Sequence, residues 1–231
     1  MQIHKITDVF FDLDHTLWDF ETNSYFAYKN LFEKHNIPVD IDDFENVYQP
    51  INKQFWEDYS KGLKDKETVK YGRISAAFEK LNIKVSDDVV RTLGDGYLDF
   101  LKIQTRLMPG SLEILNYLKG KYRLHILTNG FKEVQGDKMQ HSGLADYFDT
   151  LVSSEEVGKL KPHPDVFNFA LQNAGTFAHN SFMIGDNLKS DVLGARNVGM
   201  NAIHYDPENT GDIDEKIIPR VQNLLDIKKY L

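Results

Sequence analysis

Residues 9–17 read Val9-Phe10-Phe11-Asp12-Leu13-Asp14-His15-Thr16-Leu17, an apolar run that ends abruptly in two carboxylates. An unbroken run of β-branched and aromatic residues is typical of a strand buried on both faces of a parallel sheet. Asp12 and Asp14 are two positions apart, so on an ideal strand their side chains share a face. Two carboxylates that close repel each other unless they share a proton or bind a cation. The stretch therefore predicts a buried strand whose carboxyl end carries a site.

The composition is that of an ordinary globular protein with enough chain to bury a hydrophobic core. The 231 residues accommodate one domain with an insertion or two small domains. The 27 Lys and Arg residues against 35 Asp and Glu give a net charge of -8. Because nucleic acids and anionic membranes do not attract an acidic protein, neither is an expected partner. A small phosphorylated metabolite needs only a local positive site and stays compatible with this charge.

The chain contains no cysteine. Disulfides, thiolate zinc sites, iron–sulfur clusters and cysteine nucleophiles are therefore excluded. The sequence shows neither the apolar core of a signal peptide preceded by basic residues nor a run approaching the ~18 apolar residues of a membrane span. We therefore expect a cytoplasmic protein.

Residues 19–105 carry helical periodicity with almost no strand-like runs. The periodicity predicts four helices, which include residues 25–32, 44–56, 66–81 and 89–101. Asp42 or Asp43 is the candidate N-cap of the second helix, and Ser86 that of the fourth. Four successive helices with short polar joints are typical of a small helical bundle.

After Met108-Pro109-Gly110 the pattern changes to alternating helices and strands. Strands are predicted at residues 123–127, 148–152, 181–184 and 201–204. Helices are predicted after an N-cap at Ser111, at 131–141, 164–173 and 188–197, and at roughly 214–225. Such alternation predicts an α/β fold with a doubly wound, mostly parallel, Rossmann-like sheet. Residues 1–17 and 106–231 would form this catalytic core, and residues 18–105 an inserted helical cap.

Four polar motifs follow predicted strands or lie on the next loop, where open α/β sheets bind ligands. They are Asp12-x-Asp14-x-Thr16, Thr128-Asn129, Lys161-Pro162, and Gly185-Asp186-x-x-x-x-Asp191. Each motif alone is common in unrelated proteins. Their order, with a helical block between the first and the second, is far more specific.

The chain resembles the haloacid dehalogenase-like phosphohydrolase superfamily, in the branch whose helical cap is inserted after the first strand. The resemblance covers nearly the whole chain and is carried by FDLDHTL (11–17), LTNG (127–130), GKLKPHPDVF (158–167) and GDNLKSDVLGA (185–195). The segments TLWDF (16–20) and SLEILNYLK (111–119) look most like the housekeeping nucleoside 5′-monophosphate phosphatases.

This resemblance implies a division of labour between the first two carboxylates. Asp12 matches the nucleophile, and a carboxylate nucleophile splits phosphate-ester hydrolysis into two displacements through an acyl phosphate. Asp14 matches the acid/base that protonates the leaving alkoxide and later deprotonates the attacking water. Acidic residues around an anionic substrate need a cation, and Mg²⁺ prefers a few carboxylates with waters and a phosphate oxygen.

The resemblance also assigns the metal and phosphate contacts. The Mg²⁺ ligands would be an Asp12 carboxylate oxygen, the Asp14 backbone carbonyl and Asp186, with Asp191 an outer ligand through water or an orienting group. Lys161 would place a positive charge beside nucleophile and phosphate. Phosphate oxygens would be held by Thr128 together with the backbone amides around Asn129 and Gly130.

Other residues have plainer interpretations. Lys159 competes with Lys161 for the lysine role, although the Lys-Pro context favours Lys161. His15 should point away from Asp12 and Asp14 and is interpreted as non-catalytic, and His163 as a loop or capping residue. Most cap aromatic residues have helical spacing and belong to a core, which leaves two near the hinge as better substrate contacts. These two are Trp18 and Phe20.

The sequence thus predicts a Mg²⁺-dependent phosphatase for a small phosphorylated metabolite, with a nucleoside 5′-monophosphate preferred on resemblance alone. A sugar-phosphate phosphatase, a phosphomutase and a haloacid dehalogenase are alternatives within the superfamily. A phosphoacceptor signalling domain that stores phosphate on Asp12 is the alternative from another class. We expect a monomer or a homodimer.

Overall fold

The computed structural model describes residues 5–209 and 218–231. Six parallel strands form one sheet in the order β3-β2-β1-β4-β5-β6, with helices on both sides. The strands are β1 (Asp8–Phe11), β2 (Arg123–Thr128), β3 (Thr150–Ser153), β4 (Ser181–Gly185), β5 (Asn201–Tyr205) and β6 (Arg220–Val221). The strand order reverses between β1 and β4, where doubly wound sheets leave a crevice at their carboxyl ends. The predicted α/β class is confirmed.

The described residues fall into two compact units. One contains the residues up to Phe20 and those from Thr105 onward, and the other comprises Glu21–Gln104. The first unit carries the sheet, and the second carries helices.

The helical unit is built from α1 (Phe20–His35), α2 (Ile41–Ser60), α3 (Arg73–Lys80), which a π-helical turn at Thr68–Gly72 precedes, and α4 (Asp87–Leu101). These are the four predicted helices. Ser86 caps α4 as predicted, because its side chain accepts from the N–H of Val89.

The predicted cap of α2 is wrong. Asp40 caps that helix, because its carboxylate accepts from the N–H groups of Asp42 and Asp43. Asp42 and Asp43 instead lie in the first turn, where their charges favour the positive end of the helix dipole.

The α/β unit adds α5 (Ser111–Leu118), α6 (Lys132–His141), α7 (Pro164–Ala174) and α8 (Gly194–Asn197), which a π-helical segment at Leu188–Leu193 precedes. Short 3₁₀ segments lie at Ala145–Tyr147, Ser154–Glu156, Ala178–Asn180 and Leu224–Lys229. The predicted N-cap of α5 at Ser111 is wrong, because Ser111 is the first helical residue and Gly110 takes the cap position with φ 84°. The Ser111 hydroxyl instead donates to the Leu17 carbonyl.

The helix predicted at 214–225 is wrong where the structure describes it. Residues 220–221 form β6, which pairs with β5, and a 3₁₀ segment begins at Leu224. Pairing with the sheet edge supplies hydrogen bonds that local periodicity cannot reveal. Residues 214–217 of the predicted helix lie outside the described ranges.

A buried apolar core fixes the central strands. Phe10, Leu127 and Met183 on adjacent strands pack with Val166 and Phe167 of α7. Burial of these side chains holds the carboxyl ends of β1, β2 and β4 in register, with Phe11 opposite both Ile126 and Ile184. Across the described ranges, each helix is too short or too polar to cross a membrane.

Candidate active site

Asp12 lies directly after the last residue of β1, at the carboxyl end of the sheet. Its N–H donates to the Ile184 carbonyl of β4 at 2.9 Å, which fixes its main chain between two strands. The Lys161 ammonium donates to Asp12 Oδ1 at 2.8 Å and to the Leu127 carbonyl at 2.7 Å. The two residues are 149 positions apart in sequence, so only the fold brings this pair together.

Lys161 is 1% exposed and has a third partner, Asp191 Oδ1, at 2.7 Å. An ammonium has three N–H donors, and these three acceptors match them. In this arrangement Lys161 holds two carboxylates in place, while its predicted phosphate contact stays a prediction. Lys159, the competing lysine, instead donates to Asp165 at 2.5 Å on the surface.

Asp186 follows β4 and completes a carboxylate cluster. One carboxylate oxygen each from Asp12, Asp186 and Asp191 lie within 4.8 Å of one another. The Thr16 hydroxyl donates to Asp186 Oδ1 at 2.9 Å and accepts from the Asp186 N–H at 3.0 Å. Asp191 Oδ2 accepts from the Asn187 N–H at 3.0 Å. Each outer carboxylate is therefore oriented by a hydrogen bond of its own.

The electrostatics of the cluster call for a cation. Burial raises the pKa of Asp12 to about 8, although the Lys161 charge opposes this effect. Burial, reinforced by Asp191, raises the pKa of Asp186 to about 7. Burial alone would lower the pKa of Lys161, but Asp12 and Asp191 raise it well above its ordinary value, so the lysine is charged.

If all three carboxylates were ionised, the single ammonium would leave two uncompensated negative charges on the cluster, and burial penalises that state. A divalent cation neutralises that charge, and hard carboxylate oxygens are the ligands that Mg²⁺ prefers. The donor set therefore fits the predicted metal, with Asp12, Asp186 and Asp191 as the side chains that could hold it.

Asp14 is held separately by two side chains of α6. Lys138 donates to Asp14 Oδ1 at 2.7 Å, and Gln135 Nε2 donates to Asp14 Oδ2 at 3.1 Å. Asp12 and Asp14 do not share a strand face as predicted, because β1 ends at Phe11 and both residues follow it. Lys138 and Gln135 were missed by the sequence analysis. The available signal was two polar residues on the inward face of a helix, between Val134 and Met139.

Thr128 ends β2, and Asn129 and Gly130 form the loop before α6. The Gly130 N–H donates to Thr128 Oγ1 at 3.0 Å. The Asn129 side chain does not project freely: its Nδ2 donates to the Lys161 carbonyl at 3.1 Å, and its Oδ1 accepts from the Lys161 N–H at 2.8 Å. Asn129 therefore clamps the lysine loop onto the end of β2, while the phosphate contacts of Thr128 and Asn129 stay predictions.

The remaining residues fall into structural places. His163 caps α7, because its Nδ1 accepts from the Asp165 N–H at 3.2 Å, as predicted. His15 has a left-handed backbone with φ 63°, and its ring centroid is 5.0 Å from that of Phe20. Trp18, proposed as a substrate contact, is fully buried with its ring 4.2 Å from the Lys138 ammonium.

A doubly wound sheet with three carboxylates and a buried lysine at its switch point is typical of an α/β enzyme, and the acidic cluster could hold a cation. The chain belongs to the haloacid dehalogenase-like hydrolases, and it matches the pattern of that family over residues 8–199.

Three proteins of that family illustrate what the chain is similar to. It is 34% identical over 193 residues to pyrimidine 5′-nucleotidase YjjG of Escherichia coli, and the aligned region covers 83% of this chain and 82% of the relative. It is 29% identical over 201 residues to a glyceraldehyde 3-phosphate phosphatase of Pyrococcus abyssi, covering 85% and 80% of the two chains. A solved structure that resembles this chain is the crystal structure of the putative HAD-hydrolase YfnB from Bacillus subtilis bound to magnesium. The TM-score is 0.86 and the sequence identity is 26%, with 98% of this chain and 99% of that one covered.

Proposed function

We propose that the protein is a Mg²⁺-dependent phosphatase that hydrolyses a nucleoside 5′-monophosphate through an aspartyl phosphate on Asp12. The observation that carries the proposal is that Lys161 fixes the Asp12 carboxylate beside Asp186 and Asp191, while Asp14 is held apart by its own partners. One carboxylate is thus arranged for attack beside a cation site, and a second is arranged for proton transfer.

In the first displacement, an Asp12 oxygen bonds to phosphorus as the bond to the leaving oxygen breaks, and Asp14 gives that oxygen its proton. In the second, Asp14 takes a proton from water, whose oxygen attacks phosphorus and releases inorganic phosphate and free Asp12. The ammonium of Lys161 keeps the nucleophile oriented through its 2.8 Å hydrogen bond. Mg²⁺, held by Asp12, Asp186, Asp191 and the Asp14 carbonyl, would supply positive charge for the transferring phosphoryl group.

The substrate class rests on the relatives. The nucleotidase YjjG is 34% identical to this chain and the glyceraldehyde 3-phosphate phosphatase 29%, so nucleotides come first and three-carbon sugar phosphates second. Both are small phosphomonoesters with an alkoxide leaving group. The catalytic cluster would serve either one, because its proposed roles involve only the phosphoryl group and the leaving oxygen.

The test is phosphate release from a panel of nucleoside monophosphates and sugar phosphates with Mg²⁺. We expect the highest kcat/KM on pyrimidine nucleoside 5′-monophosphates and loss of turnover with EDTA. Asp12→Asn should abolish turnover, whereas Asp146→Asn, at an exposed carboxylate, should not. Turnover that survives in folded Asp12→Asn refutes the nucleophile assignment. A flat profile across the panel refutes the nucleotide assignment alone.

Two alternatives give distinct readouts in the same assays. A haloacid dehalogenase releases halide from a 2-haloacid and keeps its activity in EDTA. A phosphoacceptor domain accumulates a stable phospho-aspartate after exposure to acetyl phosphate, without releasing inorganic phosphate.

A further inference from the structure

Lys138 and Gln135 form a clamp on the Asp14 carboxylate. We infer that these two side chains are positioning residues that fix the Asp14 carboxylate in the orientation from which it protonates the leaving oxygen. The inference rests on the proposed function, because it assumes that Asp14 is the acid of the first displacement.

The clamp holds both oxygens of one carboxylate. Lys138 Nζ lies 2.7 Å from Asp14 Oδ1, and Gln135 Nε2 lies 3.1 Å from Asp14 Oδ2. One hydrogen bond leaves a carboxylate free to rotate about its Cβ–Cγ bond, whereas one on each oxygen fixes its plane. The two donors are three positions apart on α6, so they project from the same face of one helix.

The surroundings of Lys138 show that its ammonium has been taken out of water. Its side chain is 2% exposed, and Nζ lies 4.2 Å from the centre of the Trp18 ring and 5.6 Å from that of Phe20. The aromatic faces cover the ammonium on one side and leave it directed at Asp14.

Stability does not explain this pair. A buried ion pair contributes little to folding, and an apolar side chain of similar size in its place is often neutral or stabilising. A methionine at position 138 could pack against Trp18 and Phe20 without a desolvated charge. The observed lysine therefore points to a role in how Asp14 is held.

Gln135 carries two further signs of such a role. A Cβ atom on Gly130 would overlap the Gln135 amide nitrogen and lie 2.7 Å from its Cδ, so the amide reaches Asp14 only because position 130 has no side chain. Gln135 Oε1 is buried without a hydrogen-bond partner among residues 5–209 and 218–231. Burying an acceptor without a hydrogen bond costs free energy, and an apolar side chain that only filled the space would avoid that cost.

The consequence is a dependence on the leaving group. A nucleoside 5′-oxygen departs as a poorly stabilised alkoxide and needs a proton from Asp14, whereas p-nitrophenolate departs without one. The ratio kcat/KM reports the reaction only up to the departure of the leaving group, so the later use of Asp14 as a base does not enter it. Loss of the clamp should therefore reduce kcat/KM far more for nucleotides than for p-nitrophenyl phosphate.

The test compares Lys138→Met and Gln135→Leu with the wild type on a nucleoside 5′-monophosphate and on p-nitrophenyl phosphate. We expect Lys138→Met to lose about 10- to 100-fold in kcat/KM on the nucleotide and at least several-fold less on the aryl ester. Gln135→Leu should shift the ratio in the same direction by a smaller factor, since the donor it removes, unlike that of Lys138, carries no charge. Lys138→Arg, which keeps charge and donors, should recover part of the ratio.

The matched control is Lys132→Met, on the same helix, where the lysine is exposed and pairs with Glu156 at 3.1 Å. It should leave both kcat/KM values near wild type. A series of substituted phenyl phosphates adds a graded readout: without proton delivery, kcat/KM should fall more steeply as the phenol becomes less acidic. This slope responds to acid catalysis and not to general loosening of the fold.

Equal losses on both substrates, or an unchanged slope, in folded Lys138→Met and Gln135→Leu overturn the inference. If Lys138→Met does not fold, Gln135→Leu decides alone on the same ratio. Failure of the proposed function is distinguishable, because it appears in the wild type as absent phosphatase activity, or as turnover by Asp12→Asn, before any clamp variant is compared.

Discussion

Gly185→Ala tests whether the position of Asp191 controls the nucleophile through Lys161. Gly185 is the last residue of β4, and a Cβ atom there would lie 2.6 Å from both Cβ and Cγ of Asp191, and closer still to Oδ2. Ordinary contact between such atoms requires about 3.5 Å, so the Asp191 carboxylate must move by about 1 Å. That movement breaks the 2.7 Å pair with Lys161 and the 3.0 Å bond from the Asn187 N–H.

The expected effect is large on activity and moderate on stability. A displacement of about 1 Å in catalytic geometry costs about 10²-fold in rate, and we expect kcat/KM to fall by about that factor. Overpacking should lower the free energy of unfolding by about 1–3 kcal/mol. The assays are phosphate release with titrated Mg²⁺, at a temperature well below the unfolding midpoint, and denaturant unfolding. Half-maximal activity should require more Mg²⁺ than in the wild type.

Gly136→Ala is the matched control. Gly136 lies in α6, where an added Cβ meets no atom within 4 Å, so alanine should stabilise the helix by about 0.5–1 kcal/mol and leave kcat/KM unchanged. Gly185→Ala with wild-type kcat/KM and wild-type Mg²⁺ dependence would show that Asp191 does not control the site in this way.

Two further predictions address charge. Lys161→Met should reduce kcat/KM by at least about 10²-fold, because it releases the nucleophile and leaves the carboxylates without their ammonium. Lys159→Met loses only a surface pair with Asp165, so its kcat/KM should stay near that of the wild type. Similar kinetics in both variants would contradict the assignment of Lys161. Burial raises the pKa of Glu45 to about 7, so this carboxylate binds a proton more readily in the folded protein than in the unfolded chain. The free energy of unfolding should therefore fall by about 3 kcal/mol as the pH rises from about 4.5 to above 7. The measurement is the free energy of unfolding in urea at pH 5 and at pH 8, which should differ less in Glu45→Gln than in the wild type. An equal difference in the two proteins would rule out Glu45 as its source.

Much of the fold could be predicted because its signals are local. The run at Val9–Phe11 predicts β1, and the four helices of the second unit follow from periodicity over residues 25–101. The errors are at positions where a local signal competes with a distant one. Ser111 looks like an N-cap, but its hydroxyl donates to Leu17, 94 positions away in sequence.

The same distinction applies to the candidate site. Asp12, Asp14, Thr128, Lys161, Asp186 and Asp191 could be named from motifs at strand ends, because parallel strands bring their carboxyl ends to one edge. The partners of those residues could not be named, because helix packing selects them. Lys138 lies 124 positions from Asp14, and Thr16 lies 170 positions from Asp186.

The sequence by itself therefore determined the α/β architecture, the family and the set of candidate chemical groups, since the alternation of strands with helices and the order of the motifs are written along the chain. Tertiary structure alone decided which of these side chains contact one another. Three carboxylates and Lys161 gather at one point, while Asp14 is drawn to Lys138 and Gln135. The physical reason is that hydrogen-bond and ion-pair partners depend on distances of about 3 Å, which are set by the packing of α6 and the strand ends and leave no trace in local periodicity.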